Sequence, residues 1–326
     1  MDLKSRIQGC LAGVMIGDAL GMPVEMMTRQ QILEKTNGEG ITGFVTPIQR
    51  KISDTQNLEA GSTTDDWQLT EAIGKSLVRR KGFDVLDIAL AHVEASEVSN
   101  FGWGGTTKLG LQQLKLYFDS RGKEGRSPFE WSDLESVKSK HSLGAGNGVA
   151  MKIAPVAILD VIKSQNTLYQ NVNDVARLTH PSLDALNAAF ALAFVITRNL
   201  KNSTPTIVYL SSFLSAFNYV SVDSEDKLKS SSIEDLIGHF GNSSIARQSV
   251  ALAVAIHLRH PEDFRAGVLE ACNVGGDTDT IASMVGAMTG ARVGLEGIPE
   301  EWLKFNPNFQ AALDLGEQLF QLGETK

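Results

Sequence analysis

The stretch ACNVGGDTDTIASMVGAMTGARVG, residues 271–294, joins two glycines and two closely spaced aspartates to a run of small and apolar residues. Asp277 and Asp279 are one residue apart, and a threonine follows each of them. Apolar side chains then recur at helical spacing and predict a helix over 280–294. These side chains are Ile281, Met284, Val285, Met288 and Val293. The aspartates therefore lie at or just before a helix N-terminus, where they could simply cap free backbone N–H groups.

A second acidic motif lies far upstream, in GSTTDDW, residues 61–67. It too combines glycine, hydroxyl side chains and two carboxylates at the start of a helical pattern. If the fold brings the motifs together, carboxylates ~4 Å apart repel by roughly 4 kcal/mol at an effective dielectric constant of about 20. Such a cluster requires protons or cations. Neither GGDTDT, residues 275–280, nor GSTTDDW contains His or Cys. The hard oxygen ligands therefore favour Mg²⁺, Mn²⁺ or Ca²⁺, and four carboxylates suit two ions better than one.

Five segments, in the same order along the chain, resemble the ADP-ribosylhydrolase (ADP-ribosylglycohydrolase) family, which includes the dinitrogenase reductase-activating glycohydrolases. They span nearly the whole chain: GCLAGVMIGDALGMPVE, GSTTDDWQLT, GAGNGVAMKIAPVAIL, THPSLDALNAAFALAF and GGDTDTIASMVGAMTGA. The resemblance implies a hydrolase that acts on ADP-ribose or on an ADP-ribosylated protein or small molecule. It also implies a binuclear magnesium centre, with Mn²⁺ as an alternative. The implied ligands are Thr64, Asp65, Asp66, Asp277, Asp279 and Thr280.

Glu25 follows the first predicted helix, at the position where family members that act on serine-linked ADP-ribose carry a glutamate. By this resemblance Glu25 is the candidate catalytic residue, a general acid or base at the anomeric carbon. Without the resemblance, it is an ordinary glutamate after a helix. Asp18 lies inside the same helix among small neighbours, so its carboxylate must find a hydrogen bond. We expect a supporting role for Asp18.

Two glycine-rich turns, over residues 100–107 and 142–148, precede helical patterns. Backbone N–H groups of such turns suit an anion such as a pyrophosphate, although a plain loop is the simpler interpretation. With the resemblance, the candidate substrate-binding residues are Gly102, Trp103, Gly104, Gly146, Asn147, Gly148 and His180. His141 could flank the nucleotide together with Trp103. Arginine-directed family members carry an aspartate near position 102, which this chain lacks, so we expect a serine-type O-linkage rather than an arginine linkage.

Glycines recur every four residues in the first predicted helix, over 3–21, and small residues recur in the same way in the helix over 280–294. Glycine inside a helix costs about 1 kcal/mol relative to alanine, so the pattern needs a reason. We predict that the two smooth faces pack against each other at close range. The positions are Gly9, Gly13, Gly17, Gly21, Ala282, Gly286, Gly290 and Gly294.

Helical patterns dominate after residue 67, and alternating strand patterns are scarce. We therefore predict an all-α fold, a compact multi-helix single domain over 1–326. The predicted helices cover 67–80, 84–98, 106–118, 148–164, 182–200, 206–221, 243–259, 261–272, 280–294 and 309–321. Residues 28–60 are expected to form a long loop that could cover the site.

The net charge of −8 argues against nonspecific nucleic-acid binding, which needs a basic face. Two cysteines do not make a disulfide framework. The N-terminal segment lacks a signal-peptide pattern, and we expect no apolar run to be long enough to span a membrane. We expect a cytoplasmic protein with no membrane partner and, by default, a monomer.

Two alternatives remain from the sequence. All-α isoprenoid-diphosphate enzymes also bind magnesium through two aspartate-rich motifs, but their acidic residues are usually spaced three to four apart, and DDWQL lacks a third acid there. A non-catalytic descendant of the hydrolase fold, such as a crystallin-like protein or an ADP-ribose sensor, would also carry the resemblance. The intact metal motifs argue against it, whereas the missing aspartate near Gly102 favours it.

Overall fold

The computed structural model describes residues 1–48, 58–99, 102–121, 144–203 and 225–324. Within these ranges the chain forms α-helices, four short 3-10 helices and two isolated β-bridges, with no strand. The helices are α1 (Leu3–Gly21), α2 (Arg29–Lys35), α3 (Asp65–Arg80), α4 (Val85–Val98), α5 (Gly105–Arg121), α6 (Ala154–Lys163), α7 (Leu168–Thr179), α8 (Leu183–Leu200), α9 (Glu225–Ser230), α10 (Ile233–Phe240), α11 (Ala246–Arg259), α12 (Phe264–Cys272), α13 (Thr278–Val293), α14 (Glu300–Leu303) and α15 (Gln310–Glu324). The all-α prediction is confirmed.

Helices α1 and α13 form the centre of the fold. Every residue of α1 from Gly9 onward is buried, and so is every residue of α13 except Arg292. A helix that is apolar or small on all sides lies inside a core rather than on its surface. The other described helices pack around this pair and share one hydrophobic cluster with it. The boundary of a single domain over 1–326 stays a prediction.

The small residues of α1 and α13 face one another, as predicted. A Cβ atom added to Gly9 would lie 2.6 Å from the carbonyl oxygen of Gly290, and one added to Gly13 would lie closer still to that of Gly286. No real side-chain atom tolerates such distances, so glycine is required where the two backbones touch. The helices run antiparallel, because Gly21 at the end of α1 meets Thr278 at the start of α13. This contact brings the chain after α1 to the aspartates that open α13.

The predicted helix limits agree with the structure to within a few residues for most elements, with three differences. Residues 148–164 divide into the 3-10 helix Ala150–Lys152 and α6. Residues 28–60 are not all loop, because they contain α2, whose N-cap residue Thr28 forms a capping box with Gln31. This T-x-x-Q signal is visible in the sequence. The prediction also missed α7, α9, α10 and α14. The predicted helix over 206–221 lies outside the described residues.

Two helices are, by length and composition alone, long and apolar enough to cross a membrane, so the expectation that no run reaches that length is wrong. The first is Leu3–Val24, of whose most apolar window 94% is buried inside the protein, and the second is Leu183–Leu200, with 61% buried. Core helices of globular proteins pass the same test, which makes this weak evidence for a membrane protein.

Candidate active site

Three helix ends meet at one point: the C-terminus of α1 and the N-termini of α3 and α13. Asp65 and Asp66 occupy the first turn of α3, and Asp279 occupies the first turn of α13. Negative side chains are favoured at helix N-termini because free N–H groups and the helix dipole face them. The two acidic motifs, far apart in the sequence, therefore converge in the fold.

Asp18 fixes the start of α3 from across the helix interface. Its carboxylate accepts hydrogen bonds from the backbone N–H of Thr64 at 2.9 Å, from the Thr64 hydroxyl at 2.9 Å and from the backbone N–H of Trp67 at 3.0 Å. These N–H groups belong to the unpaired first turn of α3, so Asp18 does the work of an N-cap residue. Asp18 thus finds the hydrogen bonds that its burial requires.

The Gly275-Gly276 pair ties the segment around Glu25 to the start of α13. Both glycines have positive φ, +74° and +71°, which other residues rarely adopt. The backbone N–H of Met26 donates to the carbonyl of Gly276 at 2.7 Å, and the N–H of Gly276 donates to the carbonyl of Met27 at 2.8 Å. A Cβ at Gly275 would lie 2.5 Å from the nitrogen of Arg29, so the two segments touch directly. Glu25 is thereby held beside Asp277 and Asp279.

The aspartates of this centre are buried and close together. One oxygen each of Asp18, Asp66 and Asp279 lies within 4.8 Å of the others, and the same holds for Glu25, Asp277 and Asp279. Asp279 belongs to both groups. Each group of three carboxylates could hold a cation.

Burial raises the pKa of every aspartate in the centre. The pKa of Asp18 rises to about 7 and that of Asp65 to about 8, chiefly because burial penalises the charged form and secondarily because other carboxylates are near. The pKa values of Asp66 and Asp279 rise well above the usual range, and that of Asp277 rises too, again mainly through burial. Protons or cations must neutralise this cluster.

One buried carboxylate oxygen of this cluster is suited to bind a cation. Oδ1 of Asp66 is inaccessible to solvent and has no hydrogen-bond partner among the described residues, whereas Oδ2 accepts from Thr280 at 3.3 Å and from Thr64 at 3.4 Å. A buried unsatisfied carboxylate oxygen is costly, and it is suited to bind a cation. Together with the all-oxygen donor set, this oxygen fits a hard divalent cation such as Mg²⁺ or Mn²⁺.

A pocket of about 240 Å³ opens above the acidic centre. Its wall contains most of the residues predicted for the site: Glu25, Asp65, Gly102, Gly104, Gly146, Asn147, Gly148, His180, Asp277, Asp279 and Thr280. Thr64 and Asp66 lie behind this wall, in contact with the centre rather than with the open space. One pocket therefore unites the acidic motifs with both glycine-rich turns.

Asn147 connects the second glycine turn to the acidic centre. Its side-chain amide donates to Asp277 at 2.6 Å and to the Ser249 hydroxyl at 3.0 Å, and its backbone N–H donates to the carbonyl of Ser244 at 3.0 Å. Asn147 thus orients Asp277 as well as lining the pocket.

Trp103 does not line the pocket. Its side chain is 3% exposed and belongs to the hydrophobic core, and its indole N–H donates to the side chain of Gln68 in α3 at 2.8 Å. Its neighbour Gly102 does reach the pocket, with φ of +79° and with its missing Cβ only 3.0 Å from Thr64. The first glycine turn therefore contacts the start of α3 through its backbone. His141, Asn100 and Phe101 lie outside the described residues.

His180 ends α7 and lies against the second glycine turn. A Cβ at Gly148 would lie 2.5 Å from Cε1 of His180, and one at Gly146 would lie 3.4 Å from Nε2. These glycines leave the space that the imidazole ring occupies. Burial lowers the pKa of His180 to about 3, with a smaller contribution from the charge of Lys152, so the ring is neutral.

Sequence reasoning missed several residues of the pocket: Met26, Thr106, Thr107, Met151 and Ser244. Thr106 and Thr107 lie within the predicted turn over 100–107 but were not named as candidates. Ser244 carries no local signal, because it reaches the pocket only through the β-bridge between Gly146 and Ile245.

The described part of the chain is all-helical, with a buried acidic centre that could hold a cation beneath a glycine-lined pocket. Comparison with known proteins identifies the family. The model of the ADP-ribosylglycohydrolase family matches residues 1–326, so the chain belongs to that family and is a hydrolase of glycosyl bonds. The isoprenoid-diphosphate alternative is thereby excluded.

Individual relatives agree with this assignment. Mouse ADP-ribosylhydrolase ARH3 is 24% identical over 98% of this chain and 92% of its own. The ADP-ribosyl-[dinitrogen reductase] glycohydrolase of Rhodospirillum rubrum is 26% identical over 93% of this chain and 90% of its own. A solved structure described as an ADP-ribosylglycohydrolase-related protein complex superposes with a TM-score of 0.67 at 23% identity, covering 99% of both chains. At that identity the superposition supports the fold alone.

Proposed function

We propose that the protein is a magnesium-dependent ADP-ribosylhydrolase that releases ADP-ribose from a modified acceptor and prefers a serine-type O-linkage to an arginine linkage. The observation that carries the proposal is the position of Glu25, whose carboxylate lies within 4.8 Å of oxygens of Asp277 and Asp279 on the wall of the pocket. A carboxylate beside a cation-fitting centre is suited to acid–base work at an anomeric carbon.

The metal role rests on the fit of the centre to hard cations. Six side chains would hold two Mg²⁺ or Mn²⁺ ions: Thr64, Asp65, Asp66, Asp277, Asp279 and Thr280. Asp18 and Glu25 complete the two carboxylate groups. The ions would neutralise the carboxylates and favour the charge distribution of the transition state when bound.

Residues of the chain would have separate roles in proton transfer, orientation and substrate binding. Glu25 holds or accepts the proton that is exchanged with the leaving group or the attacking water as the glycosidic bond breaks. Asn147 keeps Asp277 oriented through its 2.6 Å hydrogen bond. Backbone N–H groups of the glycine turns around Gly104 and Gly146 are available for the pyrophosphate.

The linkage preference rests on Gly102. Arginine-directed family members resembled by this chain carry an aspartate near this position, where a carboxylate can pair with a guanidinium. Here a side chain at position 102 would be strained by the positive φ and would require Thr64, 3.0 Å from the added Cβ, to shift. Position 102 therefore offers no carboxylate for an arginine leaving group.

The direct test is the release of ADP-ribose from serine-linked and arginine-linked peptides, with Mg²⁺ or with a chelator, using the wild-type protein and E25Q. We expect release from the serine-linked peptide only, lost with the chelator and reduced by at least about a hundredfold in E25Q. Release from arginine would contradict the linkage preference. Tight ADP-ribose binding without release from any linkage would favour the sensor instead.

We also propose a cytoplasmic, monomeric protein that binds neither nucleic acid nor membrane. Both cysteines, Cys10 and Cys272, are free and buried, as suits a reducing compartment. Sedimentation of the purified protein would test the monomer.

A further inference from the structure

Lys152 is a fully buried lysine directly behind the pocket wall. Its side chain is 0% exposed, and within the described part of the chain its ammonium group has one hydrogen bond, to the hydroxyl of Thr179 at 3.3 Å. Burying an ammonium group is costly unless it is paired. Burial lowers the pKa of Lys152 to about 7, and the nearby carboxyl group of Asp65 opposes part of this effect. Because burial of this lysine destabilises the folded protein, we expect Lys152 to have a functional role.

The hydrogen bond of Lys152 continues toward the pocket. Oγ1 of Thr179 lies 3.0 Å from Nδ1 of His180. Thr179 and His180 are 2% and 3% exposed, so water does not compete for the three groups. Lys152, Thr179 and His180 therefore form a chain, here named the 152–179–180 chain, that ends at the pocket.

The donor and acceptor groups of these residues determine the direction of the hydrogen bonds in the 152–179–180 chain. An ammonium group only donates, so the Thr179 oxygen must accept from Lys152. Among the described residues the Thr179 hydroxyl has no other hydrogen-bond acceptor, so its single proton is donated to Nδ1 of His180, which is then unprotonated. A neutral imidazole carries one proton, and it is left on Nε2.

Nε2 lies on the side of the ring next to Gly146 and Gly148, two residues of the pocket wall. His180 lines the pocket wall beside Gly146 and Gly148, whose missing side chains leave its outer edge uncovered. We propose that Lys152 is a positioning residue that acts through Thr179 to hold His180 as the Nε2–H tautomer, so that the ring presents a hydrogen-bond donor to the substrate.

This assignment deepens the proposed function and rests on it for the identity of the ligand. A donor at this position takes an oxygen acceptor, such as a phosphate oxygen or a ribose hydroxyl of an ADP-ribosyl group. It disfavours a ligand that presents only an N–H or O–H proton there, because donor would then face donor.

The tautomer can be measured directly in the protein without substrate. Two-bond ¹H–¹⁵N correlation spectra of histidine-labelled protein with Mg²⁺ at pH 6 report which ring nitrogen carries the proton. The His180 signals are assigned by their loss in H180Q. We expect the wild-type spectrum of the Nε2–H tautomer. A protonated Nδ1 in the wild type would overturn the proposal.

A matched pair at position 179 separates the hydrogen bond from packing. T179V keeps the shape of threonine and removes the hydroxyl, whereas T179S keeps the hydroxyl. We expect the Nδ1 signal to move toward the protonated position in T179V and to stay in place in T179S. K152M, nearly isosteric with lysine, provides the second test if T179V does not fold, and we expect it to shift the signal as well. An unchanged tautomer in both K152M and T179V would refute the role of Lys152.

Binding of ADP-ribose gives an independent readout. We expect the dissociation constant to rise about three- to tenfold in T179V and K152M and to stay within about twofold of wild type in T179S, as for the loss of one hydrogen bond. If wild type does not bind ADP-ribose, the proposed function fails while the tautomer result still decides the role of Lys152. If binding and tautomer are the same in all variants, the proposed function stands and this inference fails.

Discussion

Glycine serves two different purposes in this protein, and the two regions that contain it respond differently to change. Between α1 and α13, Gly13 and Gly286 allow two buried backbones to touch. Around the pocket, Gly146 and Gly148 instead leave space for the ring of His180 and for a ligand. The same residue type therefore supports the fold in the first region and the site in the second.

The contrast between the two regions shows how one contact produces the site. Close packing of α1 on α13 sets the distance between the helices, and the antiparallel direction then places Asp18 beside Asp279. The glycine turns line the pocket above that centre, and they do not set the positions of its carboxylates. We expect substitutions in the first region to change stability and substitutions in the second to change binding.

The largest effect is expected for G286A. A Cβ at Gly286 would overlap the carbonyl group of Gly13, and the helices would have to separate, at a cost of about 3 kcal/mol in the free energy of unfolding. Urea unfolding measures this loss. The matched control is G238A, another glycine inside a helix, at an exposed position where no described atom lies near its missing Cβ. This control should be neutral or stabilising by up to about 1 kcal/mol. An equal effect of both substitutions would contradict the role of Gly286 in the close contact between α1 and α13.

The acidic centre should make stability depend on pH and on Mg²⁺, whereas the neutral glycine interface should not. Raised pKa values mean that the folded protein without metal holds protons that the unfolded chain releases near pH 4. Stability without metal should therefore fall as pH rises from about 4 to about 8.

The stabilisation by Mg²⁺ should grow over the same range, because the ion competes with those protons. We expect a shift in melting temperature of several degrees at pH 8 and a much smaller one at pH 5.5. Differential scanning fluorimetry measures the shift at each pH. The control variant G238A should show the same shifts as wild type. A Mg²⁺ effect that is the same at both pH values would argue against the carboxylates as its site.

A smaller effect is expected for G148A. The added Cβ would lie 2.5 Å from Cε1 of His180 and would displace the ring. We expect about a tenfold increase in the dissociation constant of ADP-ribose, with a change in unfolding free energy of less than about 1 kcal/mol. Calorimetric titration and urea unfolding provide the two numbers. A large loss of stability with unchanged affinity would place Gly148 with the glycines of the fold.

Much of this arrangement could be read from the sequence. The four-residue period of small residues predicted the α1–α13 contact, because glycines on one face of a helix weaken it unless another backbone packs closely against that face. The acidic motifs could also be recognised in the sequence, because each places two carboxylates and neighbouring hydroxyl groups at the start of a helical pattern. The structure brings these motifs together, although their metal role stays a prediction.

Other features could not be read because they depend on contacts between distant segments. Nothing in the sequence near Ser244 indicates a pocket, and Lys152 is simply one polar residue in an apolar segment. Trp103 was predicted to bind substrate and to flank the nucleotide, but its side chain is bonded to Gln68 in α3. Local patterns indicate which side chains are available, whereas burial and partner choice come from packing.

The number of divalent ions bound per chain is the most direct test of the proposed acidic metal centre. It is counted with Mn²⁺ by equilibrium dialysis for wild type and D279N. Asp279 is shared by both carboxylate groups. We predict two ions per chain in wild type, and the loss of tight binding of both in D279N while the protein stays folded. Wild-type protein that binds no ion, or folded D279N that still binds two, would contradict the proposed centre.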